Sequence, residues 1–395
     1  MVVIISAFIA LSVLFVALSV RADRRINSIP LKKQSSYPLI SIIIPSYKTG
    51  KRLERTLKSV RASDYPKKEL VVVNDGFDSH IKSICSRFDA KLIQNKKRLG
   101  KGLSLNKGVK HAKGDFFLFL DSDTTLNKKT LSTLFHSYKA YQATDEKIGM
   151  ISPAYTARNK KNVFSRFVDF EQKLHLNIIK LQTNFKTIMS IRGCCLLVTR
   201  EAFSKTQGFG QTLIEDGDFA AKVIRGGYNI KYEPRALVET SEPESFKSLI
   251  RTKRRYGKGT VQCLISNRKP FLTSFQTAIC FYPTAILLLA FVGTYLLQNF
   301  VYSVPLVLFL TTISVNGAYS FFYTAIAIVA VSVIGSLLNG VVSSNVSSAS
   351  LSSQIVSFAI FSVLIIPVTY AYLRGGFSGI KDKLQKKPEL IFSDW

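Results

Sequence analysis

A doubly wound α/β domain, set between apolar segments long enough to cross a membrane, is the architecture this sequence predicts. Three observations lead there. Between residues 38 and 240, short β-branched or aromatic runs alternate with amphipathic stretches, as strands do with crossover helices. Acidic or turn-forming clusters follow those runs, at the strand ends where open α/β sheets bind ligands. The long uncharged runs gather at the two ends of the 395-residue chain.

Residues 2–20 carry no charge, and a span needs about 20 apolar residues. The basic residues Arg21, Arg24, Arg25, Lys32 and Lys33 follow this run rather than precede it. That order predicts an uncleaved anchor over 1–20, with the chain from residue 21 on the cytoplasmic side. Toward the other end, 275–297, 299–315, 319–338 and 354–373 are apolar and hold no Asp, Glu, Lys or Arg. About four helices across 275–373 return the basic tail, 374–395, to the cytoplasm, so both charge signals agree on five spans and an integral membrane protein.

The net charge of +29, from 54 basic and 25 acidic residues, suits nucleic acid, anionic lipid or a phosphorylated substrate. Neither a zinc-ligand spacing nor an RNP-like aromatic motif occurs, so nucleic acid is not expected. Basic residues beside the spans, including Lys381, Lys383, Lys386 and Lys387, point to membrane lipids, at about 1 kcal/mol each near an anionic leaflet. The five cysteines lack CxxC spacing, which fits a reducing compartment; adjacent Cys194 and Cys195 read as packed thiols. The four histidines are scattered and receive no catalytic role.

Within the central domain, Leu39 to Ile44 reads as a buried parallel strand ended by Pro45, followed by a helix from Arg52 to Arg61. Leu70 to Val73 is the next strand, closed by Asn74-Asp75-Gly76. Gly114 and Asp115 lead into FFLFL (116–120), which ends in Asp121-Ser122-Asp123.

Two carboxylates in a turn after a strand offer hard oxygen ligands to Mg²⁺ or Mn²⁺, and such a cation neutralises a leaving diphosphate. Asp121 and Asp123 equally suit a solvated turn or a helix cap. Glu215-Asp216 opens an amphipathic stretch: a carboxylate there serves the helix dipole, or acts as a general base toward an acceptor hydroxyl. The segment 241–274 bridges to the spans and contains RTKRRYGKG (251–259). It reads as a juxtamembrane basic segment, or as arginine and aromatic contacts to a diphosphate and sugar. Apolar spacing at Phe246, Leu249 and Ile250 predicts an interfacial helix, which suits a lipid-linked acceptor or a simple anchor.

Taken in order, PSY (45–47), NDG (74–76), GKG (100–102), LDSD (120–123), RGCCLLVTR (192–200), IEDGD (214–218) and RRYGKG (254–259) resemble the family 2 inverting glycosyltransferases. The resemblance covers roughly residues 38–260. The membrane layout resembles the cellulose, chitin and hyaluronan synthase branch. The resemblance implies a GT-A-type, Rossmann-like fold, a UDP- or GDP-sugar donor and a divalent cation. It implies that Pro45, Tyr47 and Asp75 line the donor base, with Asp75 accepting from a uracil-like imide, and that Lys101 lies near the donor phosphates. Asp121 would contact the donor and Asp123 the metal, Asp216 with Glu215 would form the catalytic pair, and Arg255 and Tyr256 would match the end of the synthases' QxxRW motif. Thr252 stands at the glutamine position, Lys48 follows Tyr47 where asparagine is usual, and Asn74 replaces the first aspartate of DDG.

The expected function is therefore inverting sugar transfer to a hydroxyl of a glycan or lipid-linked glycan. A polyprenyl-phosphate transferase is the rival enzyme. A lipid phosphate is already ionised and needs no base, so a base at Asp216 favours the hydroxyl. A non-catalytic scaffold or transporter is the alternative of another class; retention of Asp121, Asp123 and Asp216 speaks against it.

Overall fold

The computed structural model describes residues 17–266, apart from Phe77, Asp145, Met189 and Ser190, and parts of a helix between 364 and 381. The chain divides into two compact units, Met1–Phe271 with Ile360–Trp395, and Leu272–Ala359; every described residue belongs to the first. The expected spans at 275–297, 299–315 and 319–338 lie outside the described residues, as do most of 2–20 and of 354–373 and the tail beyond 381. Among the described residues no helix is long and apolar enough to cross a membrane.

Helical residues 17–27 (α1) lead into β1 (Ile40–Ser46), α2 (Lys51–Arg61), β2 (Lys68–Asn74), α3 (His80–Arg87), β3 (Lys91–Gln94), α4 (Lys101–Val109) and β4 (Phe116–Leu120). These make the parallel half of the sheet, in the order β3-β2-β1-β4. β1 and β4 are buried almost throughout, because helices cover both faces; β4 is accordingly a continuous apolar run, and β1 is one but for Ser41 and its last residue, Ser46. α2 buries Leu53, Thr56, Leu57 and Val60, one face at helical spacing, as the sequence predicts.

The second half comprises β5 (Thr125–Leu126), α5 (Thr130–Gln142), β6 (Ile148–Ala157), α6 (Val163–Gln182), β7 (Cys195–Thr199), α7 (Arg200–Thr206), α8 (Glu215–Arg225) and β8 (Asn229–Thr240). It departs from an all-parallel winding. β7 lies antiparallel between β4 and β6, β8 runs parallel to β6, and the short β5 closes the edge antiparallel to β8. The reason is legible in β7 itself: CLLVT is wholly buried and wholly apolar up to its last residue, so its pattern reports burial and says nothing of direction. α9 (Phe246–Ser266) then carries the basic-aromatic segment, and helical residues 373–381 (α10) lie against it.

Pro45 does not end β1, which continues to Ser46. The Ser46 carbonyl accepts from Asp75 N on the β2 side, so Pro45, one residue earlier, faces the other neighbour. There the ladder to β4 has already finished at Ile43, and no partner needs the missing N–H.

Two features fix how α8 meets the end of β4. Phe119 of β4 packs edge-on against Phe209 and Phe219, whose rings stack at 4.3 Å, seating α8 beneath the sheet. Gly114 opens β4 in a site with no space for a side chain: an added Cβ would lie 2.6 Å from the Leu39 carbonyl and 2.7 Å from Ser41 N. Both are backbone atoms of the neighbouring strand region. Gly114→Ala is expected to cost about 1–3 kcal/mol, read as a lowered midpoint in thermal unfolding; an unchanged midpoint would show that the β1–β4 junction yields.

Candidate active site

The acidic clusters meet where the C-terminal ends of β2 and β4 face the start of α8. Lys101, the first residue of α4, is the centre. Its ammonium lies 2.7 Å from Asp121 Oδ1, 2.9 Å from Glu215 Oε1 and 3.2 Å from the Gly193 carbonyl. An ammonium has three protons, and all three are engaged. Burial alone would lower its pKa, but Asp121, Glu215 and Asp216 raise it well above the usual lysine range. The glycine before it makes this approach possible, since Gly100 has φ +85° at the helix N-cap.

Asp216 stands in the first turn of α8. Its Oδ2 accepts from Gly193 N at 2.6 Å and its Oδ1 from Gly217 N at 2.8 Å. Burial raises its pKa, and the neighbouring Glu215 carboxylate raises it further; Lys101 and the two amides oppose them. A carboxylate fixed in direction and raised toward neutrality has the attributes of a general base. Glu215 beside it does not share that setting: only 10% of its side chain is exposed, and one oxygen is committed to Lys101.

Asp121 and Asp123 share the turn after β4. The Asp121 amide donates to the Cys194 carbonyl, and Arg158 Nη2 donates to the Asp123 carbonyl at 2.9 Å, so the turn is fixed from both sides. Burial raises the pKa of both carboxyls; Lys101 pulls Asp121 down while Asp123 pushes it up, and Arg52, 4.0 Å from Asp123, pulls Asp123 down.

Among the described residues no group of three or more His, Cys, Asp or Glu is arranged as a cage for a metal. A divalent cation of the Mg²⁺ or Mn²⁺ kind needs less: two carboxylates here leave the rest of its sphere to phosphate oxygens and water. The site gathers the carboxylates of Asp121, Asp123, Glu215 and Asp216 about the Lys101 ammonium, a local negative excess that a cation would offset. The neighbouring soft donors are withdrawn. Cys194 and Cys195 are buried free thiols, and burial pushes Cys194 up to about 12.

Tyr47 and Asp75 lie together on the β1–β2 side of this cleft. Gly76 backs onto them, where an added Cβ would meet Tyr47 Cδ2 at 3.0 Å and Lys48 N at 3.1 Å. The Arg98 guanidinium covers the Tyr47 ring at 4.0 Å. Asp75 is 4% exposed and accepts from Asn95 Nδ2, Leu99 N and Gly100 N at 2.7–2.8 Å. Its carboxylate therefore shapes the 95–100 loop that delivers Lys101.

Arg255 and Tyr256 sit on α9, half-buried, with the Arg255 guanidinium 5.4 Å from the Tyr256 ring. Tyr256 lies within electrostatic range of Arg192 and Tyr155. Other residues of the same helix reach the segment that leads into α8. Gly259 lies so close to Ile214 that a Cβ would sit 2.8 Å from its side chain, and Gln262 accepts from Leu213 N at 3.2 Å. Of the residues whose spacing predicts an interfacial helix, Leu249 is buried against Phe167, Val168 and Val368, and Phe246 is exposed. Arg192, Gly193, Arg158 and Glu242 complete the surroundings; Arg192 and Gly193 belong to RGCCLLVTR, Glu242 to the 241–274 bridge, and Arg158 to no motif of the sequence.

Residues 41–206 match the family described as Glycosyl transferase family 2. A poly-beta-1,6-N-acetyl-D-glucosamine synthase of Staphylococcus epidermidis is 27% identical over 247 residues, covering 61% of this chain and 59% of that protein. The protein of the same name from Staphylococcus aureus strain COL is 27% identical over 245 residues, covering 60% and 58%. The alignments thus span less than two thirds of these relatives' own length. Among solved structures, the mannosyltransferase PcManGT from Pyrobaculum calidifontis, in complex with GDP-Man and Mn²⁺, superposes with a TM-score of 0.55 at 16% identity, covering 97% of this chain and 98% of that one. This is likeness of fold, and it supports the GT-A, Rossmann-like architecture.

Proposed function

We propose that this chain, which carries a glycosyl transferase family 2 domain, is a membrane enzyme moving a sugar from a nucleoside-diphosphate sugar to a hydroxyl of a glycan or lipid-linked glycan, with inversion. One observation carries the reading. Asp216 is held by two backbone amides, at 2.6 and 2.8 Å, beside the acidic end of β4, oriented as a base and kept apart from the saturated Lys101.

In this reading Asp216 takes the proton of the acceptor hydroxyl as its oxygen attacks the anomeric carbon, and the nucleoside diphosphate leaves on the opposite face. Asp121 and Asp123 would hold Mg²⁺ or Mn²⁺, which supplies charge neutralisation for the departing diphosphate. Lys101 fixes Asp121 and Glu215 rather than binding phosphate itself, and Glu215 acts as its counter-ion. Tyr47 flanks the donor base, and Asp75 sets the loop around it. Arg255 and Tyr256 extend the site along α9. Integral membrane placement with a cytoplasmic catalytic domain rests on the apolar runs and the basic residues flanking them.

Nucleotide release from a panel of UDP- and GDP-sugars, with a lipid-linked glycan fraction or with polyprenyl phosphate as acceptor, tests this. An N-acetylglucosamine donor heads the panel, because the staphylococcal relatives are named for a polymer of that sugar. Release is expected to need Mn²⁺ or Mg²⁺, to stop with chelator, and to fall at least about 100-fold in Asp123→Ala. Release indifferent to chelator and to Asp123→Ala would overturn the metal assignment. Release with polyprenyl phosphate alone would overturn the hydroxyl acceptor.

A further inference from the structure

Three consecutive residues, Arg192, Gly193 and Cys194, form a turn that touches Asp216, Lys101 and Asp121. The Gly193 amide donates to Asp216 and its carbonyl accepts from Lys101, while the Cys194 carbonyl accepts from Asp121 N at 3.0 Å. Regular structure does not fix this turn, since β7 begins only at Cys195. Nor has it slack: a Cβ on Gly193 would lie 2.7 Å from Asp216 Cβ. Any shift of the turn moves the base with it.

The Arg192 side chain is what ties the turn to the rest of the domain. Its Nη2 donates to Glu242 Oε1 at 2.7 Å, and the Glu242 side chain is 4% exposed. The same oxygen accepts from Gln172 Nε2 of α6 at 2.5 Å, and the Glu242 backbone exchanges two hydrogen bonds of 2.9 Å with Asn159. The guanidinium also covers the ring of Tyr155, on β6, at 5.0 Å, and the Tyr155 hydroxyl is hydrogen-bonded to His175 of α6. Three parts of the fold converge on one arginine, one residue before the amide that holds the base. With Glu242 buried and the Arg192 side chain 22% exposed, the pair is screened less than a surface ion pair.

We propose that the Arg192–Glu242 ion pair is a positioning device for the base: it pins the 192–194 turn so that the Gly193 amide keeps the Asp216 carboxylate in reach of the acceptor hydroxyl. This rests on the role of Asp216 given above. Arg192 is a positioning residue here and touches no reacting atom.

The test compares kcat and donor KM for Arg192→Gln, Arg192→Lys and the paired variant Arg192→Gln/Glu242→Gln, with Arg192→Gln also made in an Asp216→Asn background. The paired variant leaves no buried charge unpartnered, so it keeps the comparison valid if Arg192→Gln folds poorly. Arg192→Gln and the paired variant are expected to lose about 100-fold in kcat with little change in donor KM, the scale of a misplaced reacting group. Arg192→Lys restores most of the rate. In the Asp216→Asn background, Arg192→Gln has almost no further effect, because the group it positions is gone. An equal loss in that background, full turnover by the paired variant, or a change confined to KM would overturn the proposal. Full turnover by Asp216→Asn alone would overturn the base assignment and the proposal with it, before any Arg192 variant is compared.

Discussion

Asp216→Asn is expected to lower turnover by about 10²–10⁴-fold while nucleotide affinity stays close to that of the unaltered protein. Asparagine keeps the size and an oxygen for the Gly193 or Gly217 amide, but it cannot take a proton. Steady-state transfer and nucleotide-binding calorimetry separate the two effects. The pH profile gives an independent reading. Burial first, and then Glu215, raise the Asp216 pKa above the usual aspartate value, and the base works only as the carboxylate. Turnover should therefore climb with pH through an acid limb displaced above the ordinary carboxylate range, and then level. The residual activity of Asp216→Asn should lack that limb. A variant with undiminished turnover, or with the same acid limb, would remove Asp216 from the chemistry.

Lys101→Met carries the second large effect, and it falls on stability as much as on activity. The side chain is 17% exposed and compensates Asp121 and Glu215 at 2.7 and 2.9 Å. Removing it leaves two carboxylates facing each other in a desolvated site, a loss of about 3–5 kcal/mol for a broken buried pair. The loss should show as a depressed unfolding midpoint together with loss of transfer. Adding Glu215→Gln to Lys101→Met removes one stranded charge and should recover part of the midpoint, but not the turnover. Equal midpoints for the single and double variants would mean that Glu215 does not depend on Lys101.

The candidate residues could be placed at strand ends from sequence because strand ends are local. FFLFL announces a buried strand, and whatever follows it lies at the edge where ligands bind, so Asp121 and Asp123 could be placed from five residues of pattern. The same holds for Asp75 after β2, whereas Asp216 is marked by the amphipathic stretch it opens, α8. The partners of those residues were not readable. Lys101 and Glu215 are over a hundred residues apart and meet only because α4 and α8 converge on the end of β4. Arg192 and Glu242 meet across β7 and β8 in the same way. Periodicity reports which face of an element is buried; it carries no information about which buried charge a distant one will find. Strand direction escaped for a related reason, since a uniformly apolar strand such as β7 looks the same in either sense.

The stereochemistry of one transfer reports most directly on the role of Asp216. A single displacement driven by Asp216 inverts the anomeric centre, because the acceptor oxygen enters opposite the leaving diphosphate. The measurement is NMR of the first product formed from an α-configured nucleotide sugar labelled with ¹³C at C1. A β-linked product is the predicted result. An α-linked product would require a double displacement or front-face attack, and would contradict the assignment of Asp216 as the base of an inverting transfer.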